Sequence, residues 1–155
     1  MKTNAARLLD TLAIDHQILT YPVDPNNLAA EATADKLGLH PDQVFKTLVV
    51  RGDRQGVCLA VLAANAQLNL KALAQLSDDR KMQPVALKEV QPLTGYIRGG
   101  VTALACKKNY PTYVDEWMEV HDQIAVSAGV RGAMLWLKPQ DYIRATQATV
   151  GAIIL

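Results

Sequence analysis

The chain has 155 residues, 50% of them hydrophobic and 20% charged, with a formal net charge of +1. This length and balance fit one globular domain, residues 1–155, with a core of its own. They exclude a strongly basic nucleic-acid coat while leaving room for a local basic patch. Cys58 and Cys106 stand far apart, which points to a reducing compartment and away from a zinc site. No apolar run approaches the length of a membrane span, and Met1-Lys2-Thr3-Asn4 leads straight into an amphipathic segment without a signal peptide. The expectation is a soluble cytoplasmic protein.

In chain order, Thr3 or Asn4 can cap a first helix whose Ala5, Leu8, Leu9 and Leu12 recur at helical spacing. Residues 17–21 read as a short strand, and Asp24-Pro25-Asn26-Asn27 as a loop. A helix over residues 28–37 should close on Gly38. The turn His40-Pro41-Asp42 then delivers a strand that returns through a polar hairpin loop at 51–56 into a second strand at 57–63. Cys58 reads as a core thiol among apolar neighbours.

Asn69 caps a predicted helix to residue 76, and residues 82–85 suggest a short strand that Pro84 pushes to an edge. A brief helix over 87–90 is expected to stop at Gln91-Pro92. Short strands are predicted at 103–106 and 112–114, a hairpin at 124–127 and 133–137, and a last helix to about residue 147 with Pro139 at its first position. Strands that first alternate with helices and then come as hairpins imply an α+β fold, a mixed sheet flanked by helices.

The stretch that invites a functional reading is Val44-Phe45-Lys46-Thr47-Leu48-Val49-Val50. Its composition suggests a strand covered on both faces, or nearly so, in which a lysine is out of place. Either Lys46 snorkels to the sheet edge as a structural residue, or its ammonium reaches a cleft or an anionic partner. No serine or cysteine is paired with His16, His40 or His121 as a nucleophile and base, and no phosphate loop, dinucleotide fingerprint or zinc motif occurs. The carboxylates Asp115, Glu116, Glu119 and Asp122 fit a solvated face better than a metal site. Gly99-Gly100 can be a tight turn or a row of exposed backbone N–H groups. Residues 127–132, from Ser127 to Gly132, can be a long hairpin turn or a loop offering a hydroxyl and a guanidinium to an anion.

An ordered set of motifs goes further. Thr20-Tyr21 with Asp24-Pro25, Phe45-Lys46-Thr47-Leu48, Leu68-Asn69-Leu70-Lys71, Thr94-Gly95-Tyr96 with Gly99-Gly100, Lys107-Lys108, and Val126-Ser127 with Gly129, Arg131 and Gly132 follow one another along the whole chain. Together they resemble the YbaK/EbsC family of bacterial aminoacyl-tRNA deacylases, which is related to the editing domain of bacterial prolyl-tRNA synthetases.

The resemblance implies a partly barrel-like mixed β-sheet surrounded by helices, and a trans-editing hydrolase. Its substrate would be mischarged tRNA, typically cysteine on the proline tRNA, with prolyl-tRNA synthetase as a possible partner and no metal or other cofactor. For cysteine it implies that the substrate's own thiol attacks its carbonyl and leaves as a cyclic thioester. The alternatives are a deacylase for alanine or another small amino acid, or a non-catalytic module that binds tRNA or a synthetase. Carried onto this chain, Lys46 and Gly99 are the main determinants. Lys46 would hold the terminal nucleotide or the polarised ester, and Gly99 would leave room for the aminoacyl group. Tyr21, Thr47, Gly100, Ser127 and Arg131 would bind substrate: Tyr21 by lining the pocket, Gly100 through backbone donors, and Arg131 at a phosphate. Relatives usually carry a Ser-Pro-Leu-Gly type run after the double glycine and a Ser-Gly-Gly-Lys-Arg-Gly loop. This chain has Val101-Thr102-Ala103-Leu104-Ala105 and Ser127-Ala128-Gly129-Val130-Arg131-Gly132, with Met134 where some relatives carry an aspartate.

Overall fold

The computed structural model describes residues 2–155, so the expectation that rests on Met1 lies outside the described residues. Helix α1 (Asn4–Thr11) starts where the Thr3 side chain accepts a hydrogen bond from the Ala6 N–H, and it buries Ala5, Ala6 and Leu9. Strand β1 (Gln17–Thr20) follows. Helix α2 (Ala30–Leu37) ends on Gly38, whose φ of 68° is the left-handed cap that a glycine adopts without strain. The hairpin β2 (Val44–Gly52) and β3 (Gly56–Ala63) leads to α3 (Leu70–Ser77), which the Asn69 side chain caps through the Ala72 N–H.

After β4 (Met82–Pro84) come α4 (Leu87–Thr94), β5 (Thr112–Asp115) and a 3-10 turn, Glu116–Val120. The hairpin β6 (Ile124–Ser127) and β7 (Ala133–Leu137), helix α5 (Pro139–Thr146) and β8 (Thr149–Gly151) complete the chain. No helix among the described residues is long and apolar enough to cross a membrane.

All eight strands join one mixed sheet in the order β1-β7-β6-β2-β3-β5-β8, with β4 also paired to β2. The path leaves β1 and β8 as edges, so any barrel is partial. The fold is the α+β arrangement of helices on a mixed sheet that the alternation of elements implied.

β2 is the hub. One of its edges pairs antiparallel with β3 from Phe45↔Ala63 to Gly52↔Gly56. The other edge is shared: β6 lies parallel to Val44 and Phe45, and β4 lies antiparallel to Val50, Arg51 and Gly52. Residues 46–49 therefore have no strand beside them on that edge. The chain leaves the gap open because Leu87 begins α4 on one side and the turn at Gly129 (φ 92°) carries β6 into β7 on the other.

The structure corrects several local expectations. Strand β2 is not covered throughout: Lys46, Thr47 and Leu48 are half-buried while the residues on either side of them are buried. Residues 103–106 form turns, not a strand. The Thr102 hydroxyl accepts from the Leu104 N–H, Ala105 has φ 54°, and the Leu104 and Ala105 carbonyls both accept from the Tyr96 hydroxyl. Pro92 does not end α4; the helix runs on to Thr94, held by the Gly95 N–H on the Gln91 carbonyl and the Tyr110 hydroxyl on the Leu93 carbonyl. A strand that the sequence did not announce, β8, pairs parallel with β5. Asp115 leaves the acidic surface group: it is 1% exposed, and its carboxylate accepts from the Trp117 and Ile153 N–H groups.

Candidate active site

Successive side chains on a strand point to opposite faces. On β2 this sends Phe45 and Thr47 toward the large core cluster with Met118 and Tyr142, and Lys46, Leu48 and Val50 toward the face covered by α2 and α3. The parallel register of Phe45 with Val126 extends the division to β6, where Val126 joins the core and Ser127 shares the Lys46 face.

At the open stretch of β2 lies a cleft of about 510 Å³. Its walls are the start of α2, the β4–α4 junction and the loop from Arg98 to Val101. Most of the lining is aliphatic, and among the described residues it includes no histidine, carboxylate or cysteine.

Lys46 is the fixed cation of this cleft. Its Nζ donates to the Ala64 carbonyl at 3.0 Å and the Ala66 carbonyl at 2.8 Å, which leaves one ammonium N–H for a ligand. Burial pulls its pKa below the ordinary 10.5, and the Glu31 carboxylate opposes that shift. A base-labile ester hydrolysed with help from this ammonium should show an enzyme-catalysed rate, after subtraction of uncatalysed loss, that falls as pH rises through a value below 10.5. Stability should move the other way. Between the lowered folded value and 10.5 the unfolded chain binds the Lys46 proton more tightly, so the burden of burying the charge is relieved as pH rises. A pH series of single-turnover rates beside a pH series of melting temperatures checks both signs.

Of the residues singled out from the sequence, Tyr21, Lys46, Thr47, Gly99 and Ser127 line the cleft. Thr47 does so from a strand position whose side chain is turned to the core, where its hydroxyl lies beside the buried Tyr142 phenol. Among the described residues no group meets the Tyr142 hydroxyl with good hydrogen-bond geometry, and burial pushes its pKa up against a smaller opposing effect of the Thr47 hydroxyl. Ser127 accepts from the Gly129 N–H at 3.1 Å, leaving its own proton free to donate.

Gly100 and Arg131 are not part of the lining. The Gly100 N–H donates to the Ile97 carbonyl at 2.9 Å, and a Cβ at Gly100 would come within 3.1 Å of the Val130 backbone, so this glycine packs one loop on the other. Arg131 donates from Nε to the Arg98 carbonyl at 2.9 Å and lies over Gly99, bracing the same loop. The sequence reading missed Arg98, Leu28, Pro84 and Val85 as lining residues. Only the placement of Pro84 at a sheet edge hinted at any of them.

Neither thiol serves the site. Burial raises the pKa of Cys58 to about 12 and that of Cys106 to about 11, and Cys106 donates to the Thr102 carbonyl. Both should resist an aromatic disulfide reagent near pH 8 in the folded protein and react once it is unfolded, which absorbance of the released thiolate records.

The chain as a whole has known relatives. Residues 24–145 match the family model described as the aminoacyl-tRNA editing domain. Over 152 residues the chain is 36% identical to the candidate Cys-tRNA(Pro)/Cys-tRNA(Cys) deacylase EbsC of Enterococcus faecalis, covering 98% of this chain and 93% of that protein. It is 31% identical over 144 residues to the multifunctional Ser/Thr-tRNA deacylase ProXp-y of Escherichia coli K12, covering 90% and 84%. A crystal structure of a candidate trans-editing enzyme for prolyl-tRNA synthetase superposes with a TM-score of 0.84 at 22% identity over 100% of this chain and 99% of that one, a likeness of fold. The chain belongs to the aminoacyl-tRNA editing domain family.

Proposed function

We propose that this protein is a trans-acting aminoacyl-tRNA deacylase. It hydrolyses the ester that joins a wrong amino acid to the terminal ribose of a tRNA, releasing free amino acid and tRNA. Cysteine on the proline tRNA is the first expected substrate, with alanine or another small amino acid as the alternative. The observation that carries this reading is the Lys46 ammonium, fixed by two carbonyls in an aliphatic cleft that holds no acid, histidine or thiol among its described lining residues.

Among the described lining residues the Ser127 and Thr47 hydroxyls have no histidine or carboxylate beside them to act as base, so such a site offers no activated protein nucleophile of the usual dyad kind. It can hold an electron-rich oxygen and stabilise the charge that grows on it when a substrate group or a water molecule attacks the carbonyl. Lys46 supplies that stabilisation as a point charge, Ser127 offers a hydroxyl proton, and Tyr21 and Gly99 bound the space for the acyl group. Relatives named for cysteine, serine and threonine support a small, uncharged side chain as the species removed. Prolyl-tRNA synthetase is the partner that would hand over the tRNA; the net charge of +1 argues against capture through tight binding of RNA alone.

A panel of tRNAs charged with cysteine, alanine, serine, threonine or proline tests the reading. At least one non-cognate ester should be lost well above the uncatalysed rate. Absence of catalysis on every member, with and without the synthetase, would overturn it.

A further inference from the structure

The gap along β2 is a half-built ladder. In an antiparallel pair, alternate residues exchange both main-chain hydrogen bonds with the neighbouring strand, and the residues between them turn theirs to the other edge. The Val44 carbonyl accepts from the Ala64 N–H on the β3 edge, whereas the Val49 carbonyl accepts from the Val85 N–H on the opposite one. Even-numbered residues of β2 therefore face β3, and Phe45, Thr47, Val49 and Arg51 face the shared edge. There Phe45 pairs with β6, Arg51 pairs with β4 and Val49 reaches Val85. Thr47 alone among these four has no main-chain partner on that edge among the described residues, and it lines the cleft, one residue from Lys46.

We infer that the N–H and C=O of Thr47 bind the aminoacyl group of the substrate as if it were one residue of a missing strand. This rests on the deacylase reading. An aminoacyl ester carries an α-ammonium donor and a carbonyl acceptor on either side of its Cα, the same pattern as the N–H and C=O of a strand residue. Paired with Thr47, the α-ammonium donates to the Thr47 carbonyl and the ester carbonyl accepts from the Thr47 N–H. The reacting carbonyl then sits on a rigid backbone donor in the cleft that Lys46 also lines, and that donor strengthens its hold as charge develops on the oxygen. Recognition through the main chain requires only an α-amino acid, and leaves the choice among side chains to the cleft walls.

Amide exchange and deacylation test this together. In the ¹⁵N-labelled protein the Thr47 amide should exchange rapidly when free, then shift and become protected on addition of a stable 3′-aminoacylamido-adenosine, but not with adenosine alone. An unprotected Thr47 amide while neighbouring signals respond, or equal protection by adenosine, would overturn the inference. Proline at Thr47 removes the N–H at an edge position where no strand hydrogen bond is lost. Thr47→Pro that folds should deacylate on the order of a hundredfold more slowly; unchanged turnover would overturn the assignment. A protected amide in a protein inactive on every tRNA would keep this edge and refute the deacylase reading, and an active protein with an unprotected amide would do the reverse.

Discussion

Lys46→Ala is expected to lower single-turnover deacylation by about a hundred- to a thousandfold, the usual cost of removing one preorganised donor from a site of developing charge. The fold should survive. Lys46 is half-buried, and of its two partners the Ala64 carbonyl belongs to a buried residue while Ala66 is partly exposed, so water can take the place of the ammonium there. Lys46→Arg should recover little, because a planar guanidinium cannot reproduce a compact ammonium seated between two carbonyls with one proton to spare. Circular dichroism and a melting curve beside the rates separate loss of chemistry from loss of structure. Wild-type turnover in a folded Lys46→Ala protein would remove Lys46 from the mechanism.

Gly99→Ala should be the second most damaging change. Gly99 sits at φ 87°, a conformation that costs a residue with a Cβ about 1–2 kcal/mol. The added carbon would stand 3.3 Å from Arg131 Cγ and 3.4 Å from Leu28 Cδ2, so either the brace on the Arg98–Val101 loop or the wall of the cleft must give. For a chain of this size that cost corresponds to a melting temperature lower by about 2–8 °C. Displacement of the loop should reduce turnover by about a hundredfold, since sub-ångström errors in positioning are amplified in the rate. Calorimetry and single-turnover kinetics on the same preparation read both effects. A variant with native stability and native turnover would show that the loop tolerates a side chain there.

Much of the fold was legible because its signals are local. Thr3 and Asn69 cap their helices through their own side chains, Gly38 closes α2, and Pro139 opens α5, each within a turn of the residues it organises. The failures are non-local. Residues 103–106 have the apolar content of a strand, but they pair with none among the described residues, and the Tyr96 hydroxyl takes the Leu104 and Ala105 carbonyls instead. β8 is three residues long and exists only because β5 lies beside it. Pro92 stays inside α4 because contacts from Tyr110 and the 95–107 loop hold the last turn.

The site divides along the same line. Lys46 stood out in the sequence because a cation within an aliphatic strand demands a partner, and the structure supplies the carbonyls of residues 64 and 66. The packing of Gly100 on Val130 and the brace of Arg131 on Arg98 join segments some thirty residues apart, and no local pattern announces them. The opening in the β2 edge is likewise a product of where β4 and β6 end, and not of any residue within β2.

The central claim is that an ammonium-bearing cleft without a histidine or carboxylate base among its described lining residues removes a small wrong amino acid from tRNA. The most direct measurement is the rate of amino-acid release from Cys-tRNA(Pro) and Ala-tRNA(Pro), by wild type and Lys46→Ala, under single-turnover conditions. The expected result is rapid release of at least one of the two by wild type and its near-complete loss in the variant. Release no faster than the uncatalysed rate from both, or equal release by the two proteins, would contradict the account.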